Sequence, residues 1–214
     1  MELFVGGGQL DRTLSNPDAL LDAYRTDDGL RYLDYRSIPD PNLLLPDDLA
    51  VTILINSRVG PAAFKSIQDR GHELDLAELP TTPLEESTPQ LRDLVAQTIA
   101  VVTSWPGFAA SVATKVLHKK RSALIPILDN EAIFGAYMNP HWPEAKASQD
   151  SIYSFSRIRE AIEWIYVDLT RFENASAWEE LTAQAPERSR IEIFDMIWWM
   201  HFRSLQPVKP ARPL

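Results

Sequence analysis

The chain has 214 residues, no cysteine, 45% hydrophobic residues and a formal net charge of −9. Disulfides, thiolate nucleophiles, cysteine-rich zinc sites and iron-sulphur clusters are therefore excluded, and no apolar run approaches the ~20 residues of a membrane span. Length and apolar content suit one globular unit over residues 1–205 with a proline-rich tail at 206–214, large enough to bury a sizeable core. The start, Met1 to Val5 followed by three glycines, has neither the basic residues nor the length of a signal peptide, so a soluble cytoplasmic protein is expected.

In chain order, Asn16-Pro17, Leu45-Pro46, Gly60-Pro61 and Thr88-Pro89 each read as a helix start, because proline's fixed φ and missing N–H are accepted at the first helical position. Helices are predicted near 16–28, 46–56, 61–70, 89–104, 109–120, 130–138, 151–172, 175–184 and 188–204, an all-α fold. Residues 30–38 alternate weakly, as a short strand or extended arm. Ala123 to Leu128 is apolar and contains Pro126, which argues for a buried extended connector that holds Asp129 firmly. Asn139 to Pro143 reads as a loop. The last helix carries Ile193, Phe194, Ile197, Trp198, Met200 and His201, a stripe too apolar for a free surface helix. Asp195 within that stripe is either paired or faces a pocket.

The chemistry gathers between Val101 and Asn130. Pro106-Gly107 breaks the helical period, and only glycine accepts positive φ there without steric cost. Beyond the break, Val112, Ala113, Val116 and Leu117 keep the period, leaving Ser111, Lys115, His118 and Lys119 for a polar face. His118, Lys119, Lys120 and Arg121, with Lys115, form the densest basic cluster in an otherwise acidic chain. Such a cluster is either a phosphate-binding patch or a solvated helix end whose cations complement the macrodipole. On either reading Lys119 and Lys120 are exposed, and reversing their charge should hardly move the melting temperature.

These residues resemble the helix-hairpin-helix DNA glycosylases of base-excision repair. Trp105-Pro106-Gly107-Phe108-Ala109 occupies the hairpin, with Ala109 where the family has its second glycine, and Asp129 follows Ser111 by 18 positions. Bifunctional members carry a catalytic lysine at the position of Ser111; adenine glycosylases carry a serine there, followed by a segment similar to Pro126 to Asn130. The resemblance thus implies a two-lobed helical fold with the hairpin within 89–120. It implies Asp129 as the catalytic carboxylate, with Ser111 and Lys115 as its neighbours. Pro106, Gly107, Ala109, Lys115, His118, Lys119, Lys120 and Arg121 would then contact DNA. Hairpin carbonyls would be able to hold a monovalent cation, and the iron-sulphur cluster of many relatives is absent. Upstream, Asp48 to Arg58 is similar to the family helix that ends in a wedge, which would make Asn56 the wedge and Arg58 its neighbour; the alternative is an amphipathic core helix with a polar end.

The proposed chemistry has its own physical logic. Breaking an N-glycosidic bond builds positive charge on the sugar, and a nearby carboxylate stabilises that state and activates water. The base must first leave the stack. Asp129 is equally a good helix N-cap, and Ser111 equally an ordinary small helical residue. A serine offers no amine for a Schiff base, so strand cleavage by that route is not expected. The histidines, at 72, 118, 141 and 201, lack ligand spacing, and no catalytic metal is predicted. Three functions fit the sequence: a monofunctional DNA glycosylase acting on a damaged base or a modified phage base, in repair or antiviral defence; a non-catalytic hairpin module that binds DNA; and a protein-interaction domain.

Overall fold

Prolines open the helices that organise the molecule, in a computed structural model that describes residues 1–27, 32–35, 40–55, 59–141 and 154–206. Pro17, Pro61 and Pro89 lie in the first turns of α1 (Pro17–Thr26), α2 (Pro61–Arg70) and α3 (Pro89–Thr103), and Pro46 begins a 3-10 helix (Pro46–Ile55). Thr88 caps α3 by accepting from Leu91 N. After the turn at 104–109 come α4 (Ala110–Lys120) and a π-helix (Asn130–Tyr137). Then follow α5 (Phe155–Thr170), α6 (Ala175–Gln184) and α7 (Arg190–Leu205), the last opened by a Ser189/Glu192 capping box.

Three elements depart from the expected all-α pattern. Residues Glu2–Val5 (β1) and Arg12–Ser15 (β2) form an antiparallel hairpin with Leu3 opposite Leu14, so the fold is mostly helical rather than all-α. Leu3, Val5 and Leu14 point inward and are buried, the alternation expected of a half-buried strand pair. The helix at 46–55 is 3-10, and the helix at 130–137 is π. Of the segment 30–38 the described part holds one short 3-10 turn, Tyr32–Asp34.

The hairpin is built into the core by charge and backbone together. Gly6 N and Gly7 N donate to the fully buried Asp168 carboxylate (2.7 and 2.9 Å), and Tyr137 Oη donates to the same group at 2.6 Å. Burial pushes the Asp168 carboxyl up to about 6, against those three donors. Gly7, at φ +62, passes so close to α5 that a Cβ there would stand 2.6 Å from Trp164 Cα. From β2, Arg12 donates to the carbonyls of Ala136, Tyr137 and Asn139, closing the C-terminal end of the π-helix. Tyr137 meets Trp198, Phe194 and Trp164 edge to face. The π-helix is therefore gripped at its end by β2 and along its side by α5 and α7. Among the described residues no helix is long and apolar enough to cross a membrane.

Candidate functional site

The connector before Asp129 is held as its apolar sequence suggests. Leu124, Ile125, Ile127 and Leu128 are buried, and Leu128 N donates to the buried Thr114 Oγ1 of α4 at 3.0 Å. That bond fixes Asp129 against the first turn of α4. Asp129 Oδ1 accepts from Glu131 N (2.9 Å) and Ala132 N (3.1 Å), so the residue does cap the next helix. Its main-chain carbonyl receives both Ile133 N and Phe134 N, which is where the wider π-winding begins. Helices of this kind are rare and frequent at functional sites.

Oδ2 has different company. Ser111 Oγ donates to it at 3.1 Å, Lys115 Nζ donates to Ser111 Oγ at 2.9 Å, and the ammonium lies 3.7 Å from the carboxylate. The side chains of Lys115 and Asp129 are 14% and 23% exposed, dry enough for charge to matter and open enough to be reached. One oxygen thus holds the helix, and the other faces a serine and a lysine. The nearby Asp195 of α7 is half-buried, and its carboxyl is pushed up to about 7, first by burial and then by repulsion from Asp129 and Glu192, against the pull of Lys115 and Lys119.

The turn at 104–109 is tied to the body of the protein. Trp105 and Phe108 are buried and meet edge to face at 6.0 Å, while Pro106 and Gly107 are exposed and Ala109 half-buried. Ser66 Oγ of α2 donates to Pro106 O at 2.8 Å, and Arg70 lies over the Trp105 ring at 5.3 Å. Gly107 adopts φ +88, and a Cβ on it would stand 2.5 Å from Ala63 N. The glycine is required here by close approach to the protein's own α2 backbone. Gly107→Ala is expected to lower stability by about 3 kcal/mol, combining left-handed strain with an unyielding backbone clash. Urea unfolding of the variant measures this; an unchanged midpoint would show that the α2 contact is not rigid.

The basic cluster separates into two classes. Lys115 and Lys119 remain half-buried on the polar face. His118, Lys120 and Arg121 do not form a solvent-facing patch, which corrects their assignment as DNA contacts. His118 is buried, its Nδ1 donates to Ile125 O at 2.7 Å, and burial holds its imidazole down at about 4. Lys120 Nζ sits 2.7 Å from Asp48 Oδ1 and donates to Asp40 O at 2.7 Å, with the lysine side chain 0% exposed. Arg121 donates to the carbonyls of Leu76, Leu79 and Pro41 and to Asn42 Oδ1. These cations fasten the segments at 40–48 and 76–79 to the end of α4. The wedge candidates Asn56 and Arg58 lie outside the described residues. No group of three His, Asp or Glu side chains is arranged as a metal site among the described residues.

A profile described as a family of unknown function, DUF6308, matches residues 20–202. The chain belongs to that family. No curated protein and no solved structure matches it. The DUF6308 span contains Ser111, Lys115, Asp129 and Asp195, whereas the β-hairpin precedes it. Sequence reasoning singled out Asp195 from its charge inside an apolar stripe; only the packing of α7 reveals that it shares a field with Asp129 and Lys115.

Proposed function

We propose that this DUF6308 chain is a monofunctional DNA N-glycosylase with a two-lobed helix-hairpin-helix architecture, in which Asp129 stabilises the sugar cation and directs water to C1′. The observation that carries the reading is the meeting of Ser111 and Asp129 at 3.1 Å across an 18-residue separation, which agrees with the spacing of the glycosylase motif. The cap and the chemistry are compatible because they use different oxygens of one carboxylate. Lys115 and Lys119, with the exposed tip at Pro106 and Gly107, are the groups offered to a phosphate backbone.

Lys115 bears on the product. Its nitrogen is held by a hydrogen bond to Ser111 and by pairing with Asp129, an engagement that competes with attack on the sugar to form a Schiff base. The expected product is an intact strand with an abasic site, cleaved only on later treatment with alkali. The experiment incubates the protein with duplexes bearing single modified bases, assays released base, and attempts borohydride trapping in parallel. Base release without a covalent adduct supports the assignment. An adduct in wild type that disappears in Lys115→Gln would make Lys115 the nucleophile and the enzyme bifunctional.

Burial of His118, Lys120 and Arg121 favours a second reading, a domain that does not catalyse, because it removes most of the basic surface that DNA affinity requires. DNA binding without base release from any duplex would establish the non-catalytic hairpin module. Absence of both would leave the interaction domain.

A further inference from the structure

Asp195 lies one turn before Trp198 on α7, and Trp198 Nε1 donates to Ala132 O at 2.7 Å, in the turn that Asp129 caps. Residues three apart on a helix share a side, so Asp195 lies on the side of α7 that Trp198 turns toward the helix opened by Asp129. The groups facing it are Lys115 and Lys119 from α4, Asp129 from the connector, Glu192 from its own helix, and the phenol of Tyr24 from α1. Asp129 is surrounded by donors: two backbone amides, the Ser111 hydroxyl and the Lys115 ammonium. Asp195 makes no hydrogen bond among the described residues and sits half-buried in an apolar stripe. The two carboxyls thus sit in different settings, Asp129 with its oxygens engaged by donors and Asp195 without one.

We propose that Asp195 is the proton donor to the departing base, acting opposite the Asp129 carboxylate; this rests on the glycosylase reading. As the C1′–N bond breaks, its electron pair goes to the base nitrogen, which takes the Asp195 proton. Water oxygen then bonds to C1′, and the proton it loses returns to the Asp195 carboxylate. Base and abasic sugar leave, and both carboxyls end as they began. Burial and the neighbouring carboxylates, which push Asp195 up to about 7, keep the donor protonated through the acid side of neutrality.

The test uses leaving groups that differ in their need for a proton. Single-turnover release is measured from duplexes bearing 7-methylguanine, whose cationic nucleoside expels a neutral base unaided. It is compared with release from duplexes bearing neutral bases: hypoxanthine, uracil, and adenine opposite 8-oxoguanine. Wild type should release a neutral base with a rate that falls as pH rises through about 7. Asp195→Asn should slow that release by about 100-fold or more and remove the pH dependence, while 7-methylguanine release persists. Asp195→Glu should restore the neutral-base activity with its alkaline limb. Asp129→Asn should lose both substrates. Equal loss on both substrates in Asp195→Asn, or no loss on either, overturns the donor role and leaves Asp129 in place. Release of 7-methylguanine alone by wild type also overturns it, since no donor is then needed. Wild-type protein that releases no base from any duplex overturns the glycosylase reading, and the donor role with it.

Discussion

Asp129→Asn is expected to abolish base release, by on the order of 10³-fold or more, while leaving the fold and any DNA binding close to wild type. The carboxamide oxygen can still accept from Glu131 N and Ala132 N, and asparagine is as good an N-cap as aspartate. What disappears is the negative charge on the oxygen facing Ser111 and Lys115. Electrostatic stabilisation of a developing cation depends on that charge and is the largest single contribution in sites of this kind. Released base and gel mobility should be measured on the same preparations. Retained release would remove Asp129 from the chemistry and leave it as a cap alone; loss of binding and melting temperature together would mean that the substitution broke the fold.

The largest expected loss of stability is at Lys120, where the sequence suggested indifference. Lys120→Met leaves Asp48, itself buried, without its cation and leaves Asp40 O without its donor. Removing one partner of a buried ion pair costs roughly 3–5 kcal/mol, because an uncompensated charge remains in a low-dielectric site. For a domain of this size that corresponds to a fall of roughly 10 °C in melting temperature. Lys119→Met, on the half-buried polar face, should change it far less. Thermal unfolding of the two variants side by side decides the matter: equal melting temperatures would show that the Lys120–Asp48 pair is not a structural clamp. Charge reversal at Lys120 is consequently no test of DNA binding, whereas reversal at Lys119 is.

The helical skeleton was legible because its signals are local. Each of the four Xaa-Pro steps opens a helix, and α2, from Pro61 to Arg70, has the predicted boundaries. The buried connector was legible too, from Pro126 inside an apolar run. Winding was less so. The change to π geometry at Asn130–Tyr137 is associated with a shared carbonyl at Asp129 and with grips from β2 and α7, none of which is encoded within those eight residues. The β-hairpin carries a weak signal, because each strand is four residues long and the inward-facing Leu3, Val5 and Leu14 are separated by a run of glycines.

The basic cluster misled for a reason that the helical period itself contains. Lys120 continues the apolar line Val112, Val116 at four-residue intervals, and Arg121 continues Ala113, Leu117. Their charge argues for the outside, while their phase puts them inside. Ser111, Lys115 and Lys119 form the one line of the helix that is half-buried, turned toward Asp129 and Asp195, while Ala110, Thr114 and His118 form a further buried line. Phase was the better guide than polarity along this helix.

The attachment of the first strands bears on where this protein can be cut. The family profile begins at residue 20, yet Gly6, Gly7 and Arg12 reach across the chain to Asp168 and to the last turn of the helix that Asp129 opens. The matched span is therefore shorter than the unit that packs together in this protein. A fragment trimmed to the profile would retain every residue of the candidate site but expose Asp168 and Tyr137, leaving the π-helix untethered at one end. Biochemical work on this protein should keep the residues ahead of the matched span, and a tag placed there needs a spacer so that the glycine loop can still close on α5.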